Sequence, residues 1–199
     1  MSRADNSRMI QYLILLGLVA LIVTGGLMAL EPPGAPVYWV TRAASLLGYQ
    51  AIFLSIVSSA YVRQMRRVFG RPFVQVHHIL SVAGLTLATL HPLAVAWESV
   101  SLRVFLPSFE SWPVFLRLGG RVAWPLIVVA SLAAVLRRTV GRNWRLLHYL
   151  NYVAFWLATI HALMIGTDFR YLSVRIVSIA MALVVVAIFV QKRLQTRRR

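Results

Sequence analysis

Six apolar stretches make up most of this chain, and they decide what it can fold into. They fall at 9–30, 41–62, 73–97, 118–136, 144–166 and 172–190. A helix needs about 20 mostly apolar residues to cross the hydrocarbon core of a bilayer, and each stretch is close to that length. Within that core every backbone amide must be satisfied inside its own segment, so apolar spans of this kind become helices. The expected fold is an all-α integral membrane protein. A six-transmembrane-helix bundle covers 9–190, between a polar cytoplasmic N-terminus at 1–8 and a basic cytoplasmic tail at 191–199. The first stretch begins after Arg3 and Arg8, as a signal peptide does, but it outruns a usual apolar h-region. It ends in Glu31-Pro32-Pro33-Gly34 with no small-x-small cleavage site, so it reads as a span.

The charge supports this reading and fixes an orientation. The formal net charge is +16, from 21 Lys and Arg against five Asp and Glu. A basic excess of that size in a soluble protein suggests a nucleic-acid partner. Here the charges sit in short connections between apolar runs, where they act as a topology signal. With six spans, both termini share one side. That side collects 15 basic residues and one acid, Asp5; the other carries six basic residues and four acids. The positive-inside bias places both termini in the cytoplasm of a cell (inner or plasma) membrane. Trp39, Trp97 and Trp112 fall near outer span ends and Trp144 near an inner one, as in an aromatic belt. The connection at 98–116 is apolar enough to suggest a re-entrant segment or one lying along the membrane interface. There is no cysteine, which excludes disulfides, thiolate-held metals, iron–sulfur clusters and covalently attached c-type heme.

All five histidines lie in the third and fifth stretches: His77, His78 and His91 in one, His148 and His161 in the other. An ionisable side chain inside a span is costly and usually functional. Both stretches enter from the cytoplasmic side, so each offers one histidine near the inner face and one near the outer. Two imidazoles per level suit an iron porphyrin, which needs two axial ligands and brings its own four nitrogens. They leave zinc short of its usual four ligands. The expected cofactors are two b-type hemes between helices 3 and 5, ligated by His77 and His148 on the inner side and by His91 and His161 on the outer side. His78 is the alternative to His77. His77 is preferred because it lies 14 residues before His91, about 21 Å of helix rise and about 40° short of four turns. Between them Ser81, Gly84 and Ala88 form a small-residue stripe. It suits close helix packing or room for a flat ring, and the flanking histidines favour the ring. His148 and His161 are 13 apart, about 140° out of phase on an ideal helix. A bend, a π-bulge or different ring azimuths must absorb the difference. Phe155 and Trp156, midway between them, are either core aromatics or residues between two rings.

At these residues the chain resembles the ferric-reductase-like transmembrane domain. This is the heme-bearing membrane core of NADPH oxidases, ferric reductases and the membrane subunit of the bacterial methionine sulfoxide reductase system. Its third helix shows H-[RK]-x-L-G with a second His 14 after the first; here His77-His78-Ile79-Leu80-Ser81 precedes His91. Its fifth helix shows W-x-x-L-H with a His 13 later; here Trp144-Arg145-Leu146-Leu147-His148 precedes His161. His78 and Ser81 depart from the family's basic residue and glycine. The resemblance, covering about 10–190, implies six helices and two b hemes. The sulfoxide reductase subunit generally lacks the first helix-3 histidine that this chain has.

The expected function is transmembrane electron transfer, as the heme-b subunit of an oxidoreductase that is not active with NAD(P)H alone. No G-x-G-x-x-G fingerprint occurs in the sequence, so the donor is expected to be separate, a cytoplasmic flavin reductase or a membrane quinol. The extracytoplasmic acceptor is a partner reductase, ferric iron or dioxygen. Candidate propionate contacts are Arg67, Arg71 and Arg145 inside and Arg42, Arg117 and Arg121 outside. The alternative is a non-redox transporter or proton channel with the histidines as proton relays.

Overall fold

The computed structural model describes residues 3–30, 34–61, 67 and 73–197, and its regular structure there is entirely helical. Most of the basic connection at 62–72, including Arg71, lies outside the described residues. The chain forms two compact units, Met1–Val95 and Ala96–Arg199. The first contains α1 (Arg3–Ala29), α2 (Pro36–Ala60) and most of α3 (Phe73–Ser99). The second holds the end of α3, α4 (Trp112–Arg117), α5 (Gly120–Val135), α6 (Arg137–Val140), α7 (Trp144–His148), α8 (Leu150–Ile165) and α9 (Leu172–Arg197). Short 3-10 turns run over Leu102–Phe105, Gly141–Asn143 and Thr167–Arg170.

The described helices are compatible with a multi-pass membrane protein. Three are long and apolar enough to cross a bilayer: Pro36–Ala60, Val74–Ser99 and Leu172–Leu194. Two further apolar helices, Ile14–Ala29 and Leu150–Ile165, are shorter. Helix α2 begins earlier than the apolar pattern suggests, because Pro36 supplies a preset φ at its first position and needs no amide partner there. Pro92 stays within α3 rather than ending it. The apolar connection after α3 is partly ordered: the Ser111 hydroxyl caps α4 by accepting from the Val114 amide at 3.4 Å.

In the first unit polar side chains bind α1 to α2. Gln50 donates to the Thr24 hydroxyl at 3.2 Å, and the Arg42 guanidinium donates to the Leu27 carbonyl at 3.2 Å. Thr24 and Arg42 are each only 3% exposed. In apolar surroundings such bonds replace those that water would make, and losing one partner strands the other. Helices α2 and α3 approach through glycine. A Cβ on Gly48 would lie 3.2 Å from the Ala88 amide nitrogen, and one on Gly84 would lie 3.2 Å from that of Ile52. This corrects the expectation for the Ser81, Gly84 and Ala88 stripe. It lets two backbones touch, as small residues do between membrane helices, and Ser81 bonds to Ser55 of α2 at 2.7 Å. It is not room left for a ring.

In the second unit α5 packs along α8, and Phe155 is a core side chain at 1% exposure. After Leu136 the chain turns sharply, so that the segment Arg137–His148 runs at 84° to α5. Gly141, inside that segment, has φ 66 and ψ −142, which a side chain adopts only under strain. A second interruption separates α7 from α8. The Tyr149 amide is shared between the Arg145 and Leu146 carbonyls, and the Tyr152 amide bonds to the Tyr149 carbonyl at 3.0 Å. These i to i−3 bonds tighten the winding, by about 20° per residue relative to an α-helix. The phase gap between His148 and His161 narrows in that direction, by at most about 60° of the ~140° over three residues, so this interruption, directly after His148, absorbs part of it and different ring azimuths are left to absorb the rest. Aromatic packing holds it: the Tyr149 and Tyr152 rings lie 6.3 and 5.1 Å from Phe189 of α9, with Arg193 4.9 Å over Tyr149.

Replacing Gly48 by Val should force α2 and α3 apart and cost about 1–3 kcal/mol. A Cβ at Gly17 in α1 would meet nothing within 4 Å, and Gly17→Val should cost far less. Thermal unfolding of the detergent-solubilised variants, followed by helical circular dichroism, checks the difference.

A candidate site built on four histidines

The four histidines expected as ligands share one local arrangement, although they sit on α3, α7 and α8 in two different units. Each presents Nδ1 to a backbone carbonyl of the segment packed beside its own helix. In the first unit His77 Nδ1 lies 3.1 Å from the Ser55 carbonyl and His91 Nδ1 lies 3.1 Å from the Thr41 carbonyl. In the second, His148 Nδ1 lies 3.1 Å from the Ala130 carbonyl and His161 Nδ1 lies 2.8 Å from the Arg117 carbonyl. A carbonyl only accepts, so Nδ1 must carry the proton in all four. In the neutral ring Nε2 then carries the lone pair. This is the tautomer of a metal-ligating imidazole, and the second hydrogen bond both aims the ring and makes Nε2 a better donor to a metal.

Helix register explains how one arrangement occurs four times. Two antiparallel helices keep facing residues in step, so equal advances along each preserve a contact. His77 to His91 is 14 residues, as is Thr41 to Ser55 on α2. His148 to His161 is 13 residues, as is Arg117 to Ala130 on the facing segment. The 13-residue spacing, awkward on one ideal helix, is matched by its partner. The Arg117 carbonyl ends α4, where helical carbonyls lack an amide partner, and it makes the shortest of the four bonds.

Side chains elaborate two of these sites. The Ser55 hydroxyl is 3.0 Å from His77 Nδ1 as well as 2.7 Å from the Ser81 hydroxyl. With the Nδ1 proton directed to Ser55, this hydroxyl accepts from the ring and passes its own proton toward Ser81. Asn151 Nδ2 lies 3.3 Å from His148 Nδ1. A protonated Nδ1 cannot accept from it, so the metal-serving tautomer calls for Oδ1 in that place, an exchange of the amide ends. Next to His161, Gly120 is a close approach: a Cβ there would lie 3.0 Å from both Cδ2 and Nε2 of the ring.

His78 differs. It is exposed, stands 5.9 Å from the His77 ring, and makes no hydrogen bond among the described residues. The arrangement therefore selects His77 as the member of the set. Of the arginines, Arg42 is buried beside Thr41, its guanidinium 5.4 and 5.6 Å over the Tyr38 and Trp39 rings. Arg117 contributes its carbonyl to His161, a role no side-chain reading assigns. Arg121 lies on α5, and Arg145 stacks 5.7 Å over Trp144, whose ring is 6.0 Å from that of His148. Arg67 is an exposed helical residue, and Arg71 lies outside the described residues. Ser55, Gly120 and Asn151 were not singled out from sequence; only the i, i+3 step from His148 to Asn151 was open to inspection there.

No family model, curated protein or solved structure matches the chain.

Nitrogen-15 NMR of histidine-labelled protein in nanodiscs, above the titration range of imidazole, should show four rings with protonated Nδ1 and pyridine-type Nε2. His78 should instead show the tautomer mixture of a solvated ring. Nε2–H signals from His91 or His161 would contradict the arrangement.

Proposed function

We propose that the chain moves electrons across its membrane on two b-type hemes, one held by His77 with His148 and one by His91 with His161. The observation that carries this reading is the Nδ1 bond to a backbone carbonyl shared by those four histidines. Four rings fixed in the ligating tautomer fit the donor set of two bis-imidazole irons. The pairing rests on the six-span topology, with both termini cytoplasmic, that the charge distribution supports. Heme bound at such sites supplies reversible one-electron exchange between ferric and ferrous iron.

The chain's own residues set the conditions for that exchange. The carbonyl bonds hold ring azimuth and ligand basicity. Ser55 adds an acceptor at His77, which strengthens Nε2 further and favours the oxidised metal. Arg42 brings a buried positive charge to the His91 level, suited to a propionate, and Arg117 and Arg121 belong to the same end of their unit as His161. Arg145 and Arg67 serve the inner side on this reading. The electron donor is a cytoplasmic flavoprotein or membrane quinol, and the acceptor is a partner reductase, ferric iron or dioxygen. A proton relay is a weaker fit, because a relay needs ring nitrogens that exchange protons, and at His91, His148 and His161 Nδ1 is bonded to a carbonyl, which cannot pass one on.

Purified protein supplied with hemin should show a b-type spectrum and two one-electron couples. His91→Ala and His161→Ala should remove one couple, and His77→Ala and His148→Ala the other, while His78→Ala keeps both. Absence of any Soret band after reconstitution would overturn the proposal. Ser55→Ala should retain heme yet raise one midpoint by up to about 60 mV, the equivalent of one modest hydrogen bond in a one-electron couple.

A further inference from the structure

We infer that the segment Arg137–His148 is a headgroup-binding elbow, which takes the anionic phospholipids of the membrane face where α5 ends. The inference stands on the fold and does not depend on heme. Its first support is direction. The segment runs at 84° to α5, and the two reach span length only as a bent pair; on the six-span topology proposed above, with α5 as the crossing part, the elbow lies nearly in the membrane plane. Its second support is charge. Arg137, Arg138, Arg142 and Arg145 are all exposed, and no acidic residue occurs anywhere between Glu110 and Asp168. Four exposed guanidiniums on one twelve-residue segment, with no acidic residue near them in sequence, match a layer of phosphates.

Its third support separates a lipid surface from an acidic protein. The arginines are mixed with large apolar side chains that also lack cover: Val135 is 77% exposed, Leu136 49% and Leu146 64%. Trp144, half-buried, lies beside them with the Arg145 guanidinium 5.7 Å over its ring. A soluble acidic partner would leave these groups in water. An interfacial position buries them in the acyl boundary while the guanidiniums reach the phosphates, the division of labour of an amphipathic surface helix. Gly141 permits the turn that keeps both halves of the elbow at this level, through its positive φ.

The elbow ends on His148, whose Nδ1 is anchored to Ala130 on the other side of the bend. Headgroup binding therefore braces the segment that positions this ring.

The test uses the full chain in nanodiscs of phosphatidylcholine alone or mixed with phosphatidylglycerol. Native mass spectrometry counts retained lipids, and the absence of native cysteine allows a single depth-reporting label at Thr139→Cys. Wild type should retain phosphatidylglycerol over phosphatidylcholine by about tenfold. The combined R137Q, R138Q, R142Q and R145Q variant should lose that preference, and the same four positions changed to Lys should keep most of it, which controls for folding. The label should sit at headgroup depth and move outward at high salt. An unchanged preference in the Gln variant, or a water-exposed label in anionic nanodiscs, overturns the inference. So does displacement of lipid by inorganic phosphate at equal concentration, which indicates a simple anion site. Loss of preference in the Lys variant, or capture of an acidic soluble protein with no headgroup preference, overturns it as well.

Discussion

A polar group inside an apolar helix bundle must find a partner within the protein, and this chain meets that constraint with backbone carbonyls. A helical carbonyl already accepts one amide bond but has a second lone pair. Thr41, Ser55 and Ala130 offer that second site from within helices, and Arg117 offers it from a helix end. Each bond removes the cost of burying an imidazole N–H and fixes which nitrogen keeps its lone pair. The close approach of α2 and α3 through Gly48 and Gly84 is part of the same solution, because a carbonyl on one helix is within reach of a ring on the next only when the backbones nearly touch. Folding energetics and site chemistry here are one set of contacts.

The two units solve the problem in parallel. In each, an earlier segment supplies two carbonyls and a later antiparallel helix supplies two histidines, with equal spacing on both sides of each pair. No internal repeat is visible in the sequence, since the equivalence lies in acceptors that have no side-chain signature. The details differ where each unit needs them to. The first relies on glycine contacts and a serine pair; the second relies on a helix end, the interruption at Tyr149 and a glycine against the His161 ring.

The histidine pattern and the helical character of the apolar stretches were legible in the sequence because each depends on residue type at a fixed interval, although of the six expected spans only three described helices are by themselves long and apolar enough to cross. Helical phase singled out His77 over His78, and His77 is the one of the two whose Nδ1 meets a backbone carbonyl. The Ser81, Gly84 and Ala88 stripe was misread, since a row of small side chains looks the same whether a ring or a backbone fills the space. The interruption after His148 was one of the ways the spacing could be absorbed but could not be located, because Tyr149 is neither proline nor glycine and its ring packs against Phe189 and Arg193. The turn at Leu136 was hidden in the same way: a run of arginines marks the end of a span without saying where the chain goes next. Arg117 shows the limit most clearly, as its charge drew attention while its carbonyl makes the contact.

Orientation written in carbonyls has an evolutionary consequence. Almost any residue at 41, 117 or 130 presents the same oxygen, so substitutions there leave the imidazoles aimed as before. A single inserted or deleted residue between 41 and 55, or between 117 and 130, is another matter: it rotates one carbonyl away from its ring while leaving the other in place. Lineages of such a protein are free to lose almost all resemblance in side chains while holding these interval lengths constant. Kinship among them would then be kept in the ruler rather than in the letters.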